Sequence, residues 1–450
     1  MTDVISSSVE SSPLQNKKSH KKEIILLLAT LILVFVFGEV FFRFYYWSSG
    51  KIIAADDTEL CFKEMKNPKS YSSVSPNVVF RNEFDEHPLI GIVPRKNSTT
   101  HFGKILQFSR TDPEGKLGPS LVYTPDYHNS QGLTNIENFS LQKPSNISKR
   151  IALFGDSFTC GAEQPLRFNM NYILKELVHD IEVLNFCVIG YGIDTMYARY
   201  VVESKPYNSD IVIFNVLVDD LRRAYGCPLF RPNLTISNGH LVIGPRKWDS
   251  LKDFYFNYSS PKYESYFIKH LLWTFNQHKI IQKDSDKGFK LFKVMVDELK
   301  IQTSEHNATL VIIPLLQENP SELETEIYGK IIELLKEKNV IFMDSLMYLA
   351  SQKRTYNNQS LYYTRAKDKF SHFSQIGNAV FAQGLKKTLE DANLLQKTPN
   401  YFFANFQDFA FLYFIPEDLE MQIRGQIRIL PAFITKNGSH SNSFNLSTKN

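Results

Sequence analysis

Five short, strongly apolar runs recur between residues 149 and 347, and helix-patterned segments separate them. The runs are RIALF ahead of Gly155-Asp156-Ser157, IEVLNFCVIG, DIVIFNVLV, ATLVIIPLL and NVIFMDSL. MNYILKELVHD follows the first run, a helical stretch near Asp194–Ser204 follows the second, and PSELETEIYGKIIELLKEKN precedes the last. A strand that is apolar at nearly every position is buried on both faces, which is the condition of a parallel sheet covered by helices above and below. The alternation therefore predicts a doubly wound α/β domain with a five-stranded parallel sheet. One stretch, about 226–284, interrupts it. There LTISNGHLVIG reads as a hairpin turning at Asn238-Gly239, so an insertion is expected after the third strand.

The rest of the chain is read against that domain. Of 450 residues 43% are hydrophobic and 22% charged, with 35 Phe and 22 Tyr, which excludes a disordered or fibrous protein. The net charge of +4 arises from 51 basic and 47 acidic residues, a balance that does not suggest nucleic acid as the main partner. One segment departs from this average. From Ile24 to Gly38 there is no charge, and the apolar character resumes after Glu39 up to Phe42. That is about 19 residues, close to the length needed to cross a hydrocarbon core as a helix.

A signal peptide is the first competitor, but RFYYW follows in place of a small-residue cleavage site and reads as an aromatic interface anchor. A buried core helix is the other alternative, and the sharp polar flanks speak against it. Glu39 and Arg43 stand four apart and can pair on one helix face. Lys17, Lys18, Lys21 and Lys22 precede the segment, and Asp56, Asp57 and Glu59 follow it. The positive-inside tendency then leaves residues 1–22 in the cytoplasm, 23–47 in the lipid bilayer and the remainder outside.

Residues 48–145 show no sustained period and read as short strands and loops that pack on the catalytic-type domain of 146–395. The segment 396–450 reads as an aromatic extension, either extra packing or a membrane contact, followed by a disordered tail. Cys61, Cys160, Cys187 and Cys227 would all face the oxidising side, where three full pairings or free thiols are open. Asn-x-Ser/Thr triplets at Asn97, Asn233 and Asn307 would matter only in a eukaryotic secretory pathway.

Ligands of an open α/β sheet bind at the carboxyl ends of its strands, and four segments converge there. Gly155-Asp156-Ser157-Phe158-Thr159 ends the first strand and places Ser157 at a helix N-terminus, which favours developing negative charge but also suits an ordinary cap. Asn185 to Gly192 follows the second strand, and Gly190 there can present an amide without steric hindrance. Val218-Asp219-Asp220-Leu221 follows the third. Asp368 to Ser374 contains His372 just before a helix for which Ser374 is the expected N-cap. His179, His270 and His278 lie on helical segments and read as surface or packing residues.

This ordered set, with Asn129-Ser130-Gln131-Gly132-Leu133 ahead of it and the Glu39/Arg43 ending of the apolar segment, resembles the SGNH (GDSL-type) hydrolase superfamily. More narrowly it is similar to membrane-anchored bacterial members, among them relatives of exopolysaccharide O-acetylation proteins. The resemblance spans about 125–390. It implies a flavodoxin-like three-layer α/β/α fold, with Ser157 as nucleophile, His372 as its base and Asp368 orienting the imidazole. It implies an oxyanion hole from the amides of Ser157 and Gly190 together with the third-block residue.

Two positions depart from the family pattern. Asp219 stands where the third block has Asn, and an ionised carboxylate cannot donate a hydrogen bond. Asp368 lies four residues before His372 where two or three are usual, and Asp344 is a weaker substitute. The function implied is a serine esterase or O-acyltransferase on acyl, most plausibly acetyl, esters of envelope or exported glycans. It would use no cofactor or metal and would sit in the inner membrane with its domain periplasmic or extracellular, within reach of envelope assembly partners. The alternative is a catalytically idle SGNH-like domain that binds glycan or an assembly partner.

Overall fold

The structure is a computed structural model that describes residues 19–49, 52–53, 60–61, 84–101, 105–111, 117–122, 125–161, 168–225, 231–245, 265–352, 362–364 and 371–397. Asp368, Cys227, most of the expected cytoplasmic tail and the aromatic C-terminal extension lie outside the described residues.

All five apolar runs are strands: β1 Lys149–Phe154, β2 Ile181–Asn185, β3 Ile211–Leu217, β4 Thr309–Leu315 and β5 Ile341–Phe342. They form one sheet in the order β2-β1-β3-β4-β5, with every neighbouring pair parallel. The strand order reverses direction at β1, between β2 and β3. That is the flavodoxin-like switch point, where a crevice opens beyond the strand ends. The chain is thus a mixed α/β protein, and β3, the middle strand, is buried at all of its positions.

Among the described residues the α-helices are α1 Ser19–Ser49, α2 Ser157–Cys160, α3 Met170–Leu177, α4 Ile193–Arg199, α5 Val218–Arg223, α6 Tyr266–Glu305, α7 Glu322–Glu337, α8 Ser345–Gln352 and α9 Gln375–Asp391. Several starts have a local cause. Ser321 and Glu324 form a reciprocal capping box on α7. Ser374 accepts the Gly377 amide at the start of α9, the cap expected from sequence. The helix expected over Asp194–Ser204 is α-helical only to Arg199. It then widens into a π turn at Tyr200–Ser204 and tightens to a 3₁₀ turn at Lys205–Tyr207, where Pro206 lacks an amide to continue the ladder.

The core lies between the sheet and its helices. Phe154, Phe186 and Phe214 stack across β1, β2 and β3 at centroid spacings of 5.0 Å and 4.8 Å, which adds directed ring contacts to the burial of large apolar area. The hairpin expected at Asn238-Gly239 is present as Asn233–Ser237 against His240–Gly244, with both turn residues at positive φ. The expected insertion does not end at a break, however. Its last part and the helix leading to β4 are one continuous 40-residue element, α6.

Upstream of β1, short antiparallel pairs join Phe84–His87 to Gly91–Pro94, and Ser98–His101 to Pro125–His128. The chain divides into two compact units, Met1–His101 with Thr124–Thr398, and Phe102–Tyr123 with Pro399–Asn450. Among the described residues the second contributes one antiparallel pair, Ile105–Thr111 with Leu117–Val122.

Candidate active site

The turn after β1 is fixed by its own residues. A Cβ on Gly155 would stand 1.9 Å from Thr159 Oγ1, so only glycine lets the chain fold back onto α2. Asp156 is the N-cap: its Oδ1 accepts the Phe158 amide at 2.9 Å, and its carbonyl accepts those of Thr159 and Cys160. Ser157 is therefore the first residue of a helical turn and is 4% exposed. Gly161 closes the turn in the left-handed conformation, at φ 66°.

His372 arrives from the far end of the chain on a small ribbon. β6 (Tyr362–Thr364) and β7 (Ser371–Phe373) pair antiparallel with Tyr363 opposite His372. The Phe158 ring lies 5.1 Å from the imidazole and 5.1 Å from the Phe373 ring, so the residue after Ser157 props the histidine strand. His372 Nε2 lies 2.8 Å from Ser157 Oγ. That is within reach of direct proton transfer. Asp156 Oδ2 is farther from the same hydroxyl, at 3.4 Å.

Arg223, at the end of α5, was not singled out from sequence, yet it organises the charges behind Ser157. Its Nη1 contacts Asp156 Oδ2 and Asp220 Oδ1, each at 2.8 Å, and its Nε contacts Asp219 Oδ2 at 2.9 Å. The two carboxyls on its Nη1 are fully buried and meet one guanidinium. Asp220 also accepts the Leu217 amide at 2.9 Å, closing the turn from β3 into α5. Burial and the neighbouring Asp156 push the Asp220 carboxyl well above its usual range.

Asp219, expected at the oxyanion hole, is engaged by two arginines. Burial pushes its carboxyl up, but Arg223 and Arg222 outweigh that and hold it below the ordinary carboxylate range. Oδ1 is bound by Arg222 at 2.9 Å and Oδ2 by Arg223 at 2.9 Å. An ionised, doubly paired carboxylate has no proton to donate to an oxyanion. Asn215 does not stand in for it: its side-chain amide is buried and donates to Thr159 Oγ1 at 3.1 Å.

The turn after β2 carries the remaining candidate. Gly190 has φ 82° and is exposed, with no atom within 4 Å of where a Cβ would be. Its surroundings are braced from behind. Asn185 Oδ1 accepts the Cys187 amide, and Cys187 is disulfide-bonded to Cys160 with a Cα–Cα distance of 5.4 Å. The bridge joins the end of α2 to the turn that leads to Gly190. Of the pairings open in the sequence, this is one bond among the described residues.

The Asn129–Leu133 segment is also drawn in. Asn129 Oδ1 accepts the amides of Gln131 and Leu133, and buried Arg199 donates to Gly132 O at 2.6 Å and Phe186 O at 2.9 Å. This fastens the segment to the end of β2. Asp344 is spent elsewhere, accepting the Tyr328 hydroxyl at 2.8 Å and the Met347 amide at 3.1 Å. His270 packs on Phe42 at a 4.1 Å ring spacing, a packing role.

No family model matches the chain, and no curated protein matches it. Solved structures with a related arrangement include TesA, at 11% identity and a TM-score of 0.33, covering 55% of this chain and 100% of that one. Another is Axe2, an acetylxylan esterase from Geobacillus stearothermophilus, at 15% identity and a TM-score of 0.33, covering 54% of this chain and 95% of that one.

Proposed function

We propose that this protein is an SGNH-type serine esterase or O-acyltransferase, anchored in the membrane by α1, that acts on acyl esters of envelope or exported glycans. The observation that carries the reading is the 2.8 Å approach of His372 Nε2 to Ser157 Oγ at the start of α2. As Ser157 Oγ attacks the ester carbonyl carbon, its proton passes to His372 Nε2, and negative charge gathers on the carbonyl oxygen. The amides of Ser157 and Gly190 are the donors assigned to that oxygen, with no contribution from Asp219. His372 then gives its proton to the departing sugar oxygen, leaving an acyl-serine. Water or a second sugar hydroxyl repeats the steps in reverse, which separates hydrolysis from transfer.

Two observations support the placement outside the cytoplasm. Lys21–Tyr45 is long and apolar enough to span a membrane. The Cys160–Cys187 bridge belongs to an oxidising compartment. The second reading, an idle glycan-binding domain, is favoured by one observation: the third-block donor is absent because Asp219 is committed to two arginines.

The deciding experiment is hydrolysis of p-nitrophenyl acetate and of acetylated oligosaccharides by the full chain in proteoliposomes, with Ser157→Ala alongside. Turnover abolished in the variant supports the esterase. Equal turnover in both excludes Ser157 as the nucleophile, and no turnover in either with glycan binding retained overturns the reading in favour of the binding domain.

A further inference from the structure

Helix α1 is not a bare tether. Most of its apolar side chains face outward, Leu26 at 69%, Ile32 at 64% and Phe37 at 67% exposure, but one face is occupied by the start of α6. Phe267 packs against Phe35 and Phe42 at centroid spacings of 6.0 Å and 5.9 Å, and His270 stacks on Phe42. A Cβ on Gly38 would stand 2.7 Å from the Phe267 ring, so glycine makes the notch that admits it. These contacts lie inside the Lys21–Tyr45 span. Phe35 is ten residues before Tyr45, about 15 Å along a helix axis.

The helix-start amides at this junction are also paired without water. A helix start leaves its first amides unpaired, and hydrocarbon offers them no acceptor. Here Glu39 accepts the amides of Tyr266 and Phe267 at 3.3 Å and 3.1 Å and the Ser265 hydroxyl at 2.7 Å. Ser265 Oγ in turn accepts the Ile268 amide at 3.1 Å. Arg43 pairs with Glu39 at 2.6 Å, and its guanidinium lies 4.8 Å from the Tyr266 ring centroid. A carboxylate within a spanning helix must be paired, and this one is paired and caps a second helix. Beside it, Ile268 and Leu271 are 46% and 36% exposed and three residues apart on one stripe.

We propose that Ser265–Leu271 is a second membrane-embedded element: the first turns of α6 enter the outer leaflet beside α1, capped there by Glu39, with Ile268 and Leu271 against lipid. The occupant of that stripe is the bilayer because the stripe continues the exposed apolar surface of α1 at the same depth. This inference rests on α1 spanning the membrane.

The test uses the full chain in phosphatidylcholine and phosphatidylethanolamine vesicles, with Cys61 and Cys227 changed to Ser and one cysteine at a time labelled with an environment-sensitive fluorophore. Labels replace Ile268, Leu271, Leu28 in mid-span, and His240, whose side chain is 69% exposed. The expected result is that labels at 268 and 271 are quenched by lipid-borne nitroxides and shielded from iodide, like the label at 28 and unlike that at 240. Labels at 268 and 271 open to iodide, or shielded from both quenchers, overturn the inference while a lipid-quenched label at 28 leaves the anchor intact. An iodide-quenched label at 28 instead overturns the anchor itself. Glu39→Ala should move the label at 268 from lipid to iodide quenching without changing that at 28, and Glu39→Gln, which keeps one acceptor, should move it less. No movement in either variant overturns the capping role of Glu39. The depth measurement in the chain with Glu39 intact stands whether or not those variants fold.

Discussion

The turn that presents Ser157 and the ribbon that presents His372 are built to different standards. Ser157 is held by an aspartate cap, by an arginine that reaches Asp156 from α5, by a glycine that only a tight turn accommodates, and by a disulfide three residues on. His372 stands on a strand of three residues paired with three others, with the Phe158 ring against its imidazole and against Phe373, and the cap of α9 follows at Ser374. Distinct stability for neighbouring segments is general, and elements that move are drawn from the less-packed end. The contrast teaches that the Ser157 turn is the fixed reference of the pair, and on the proposed reading the base is brought to the nucleophile.

Substitutions on the two sides should therefore fail differently. The largest effect belongs to the histidine ribbon: on the proposed reading His372→Ala is expected to lower kcat for ester hydrolysis by roughly 10⁴–10⁶-fold with little change in melting temperature, read by steady-state kinetics and calorimetry. Next comes Arg223→Met, which leaves buried Asp156 and Asp220 without their cation. Removing one partner of a buried charge set costs about 3–5 kcal/mol, measured by urea denaturation, and loss of activity should follow loss of fold. Replacing both Cys160 and Cys187 by Ser opens a sequence separation of 27 residues. Chain entropy puts that cost at about 3.5 kcal/mol, to be compared with reduction of the unaltered chain.

A pH profile sharpens the same comparison. His128 is buried, and burial together with Arg199 pushes its imidazole down to about 3. A lowered histidine stabilises the fold above its unfolded value near 6.5, and that stability is lost as pH falls toward 3. Between pH 6.5 and 5 the loss is about 2 kcal/mol, and His128→Asn should flatten that part of the melting profile. Asp194 works in the opposite direction: burial raises it to about 6, so its ionisation costs stability as pH rises from 3.8 to 6. The smallest effect is Gly190→Ala. Its side chain meets open space, but φ 82° costs an L-residue about 1–2 kcal/mol. The discriminating readout is whether kcat falls more than that stability change accounts for.

Much of the architecture was legible because it is written in local patterns. The five apolar runs are the five strands, and the Asn238-Gly239 dipeptide is the hairpin turn. The open-sheet rule says where loops gather, and Ser157 and His372, placed there from sequence, lie 2.8 Å apart. What escaped depends on partners distant in sequence. Arg223 reads as an ordinary helix-end charge until Asp156, 67 residues away, is placed beside it. Asp219 reads as a flaw in an oxyanion hole until its two arginines are known. The docking of α6 on α1 joins residues 226 apart and leaves no periodic trace. Asp368 lies outside the described residues, so its link to His372 remains a proposal to be tested by Asp368→Asn kinetics.

One consequence of α6 is a matter of altitude. The helix runs unbroken from Phe267, beside α1, to Gly288, where a Cβ would be 2.1 Å from Leu221 O of α5. Those 21 residues measure about 32 Å along the axis. On the proposed reading they act as a mast, and the helix they reach is the one whose Arg223 grips Asp156. A leashed domain would sample every height its leash allows. On the same reading a masted one is confined to a single layer above the lipid.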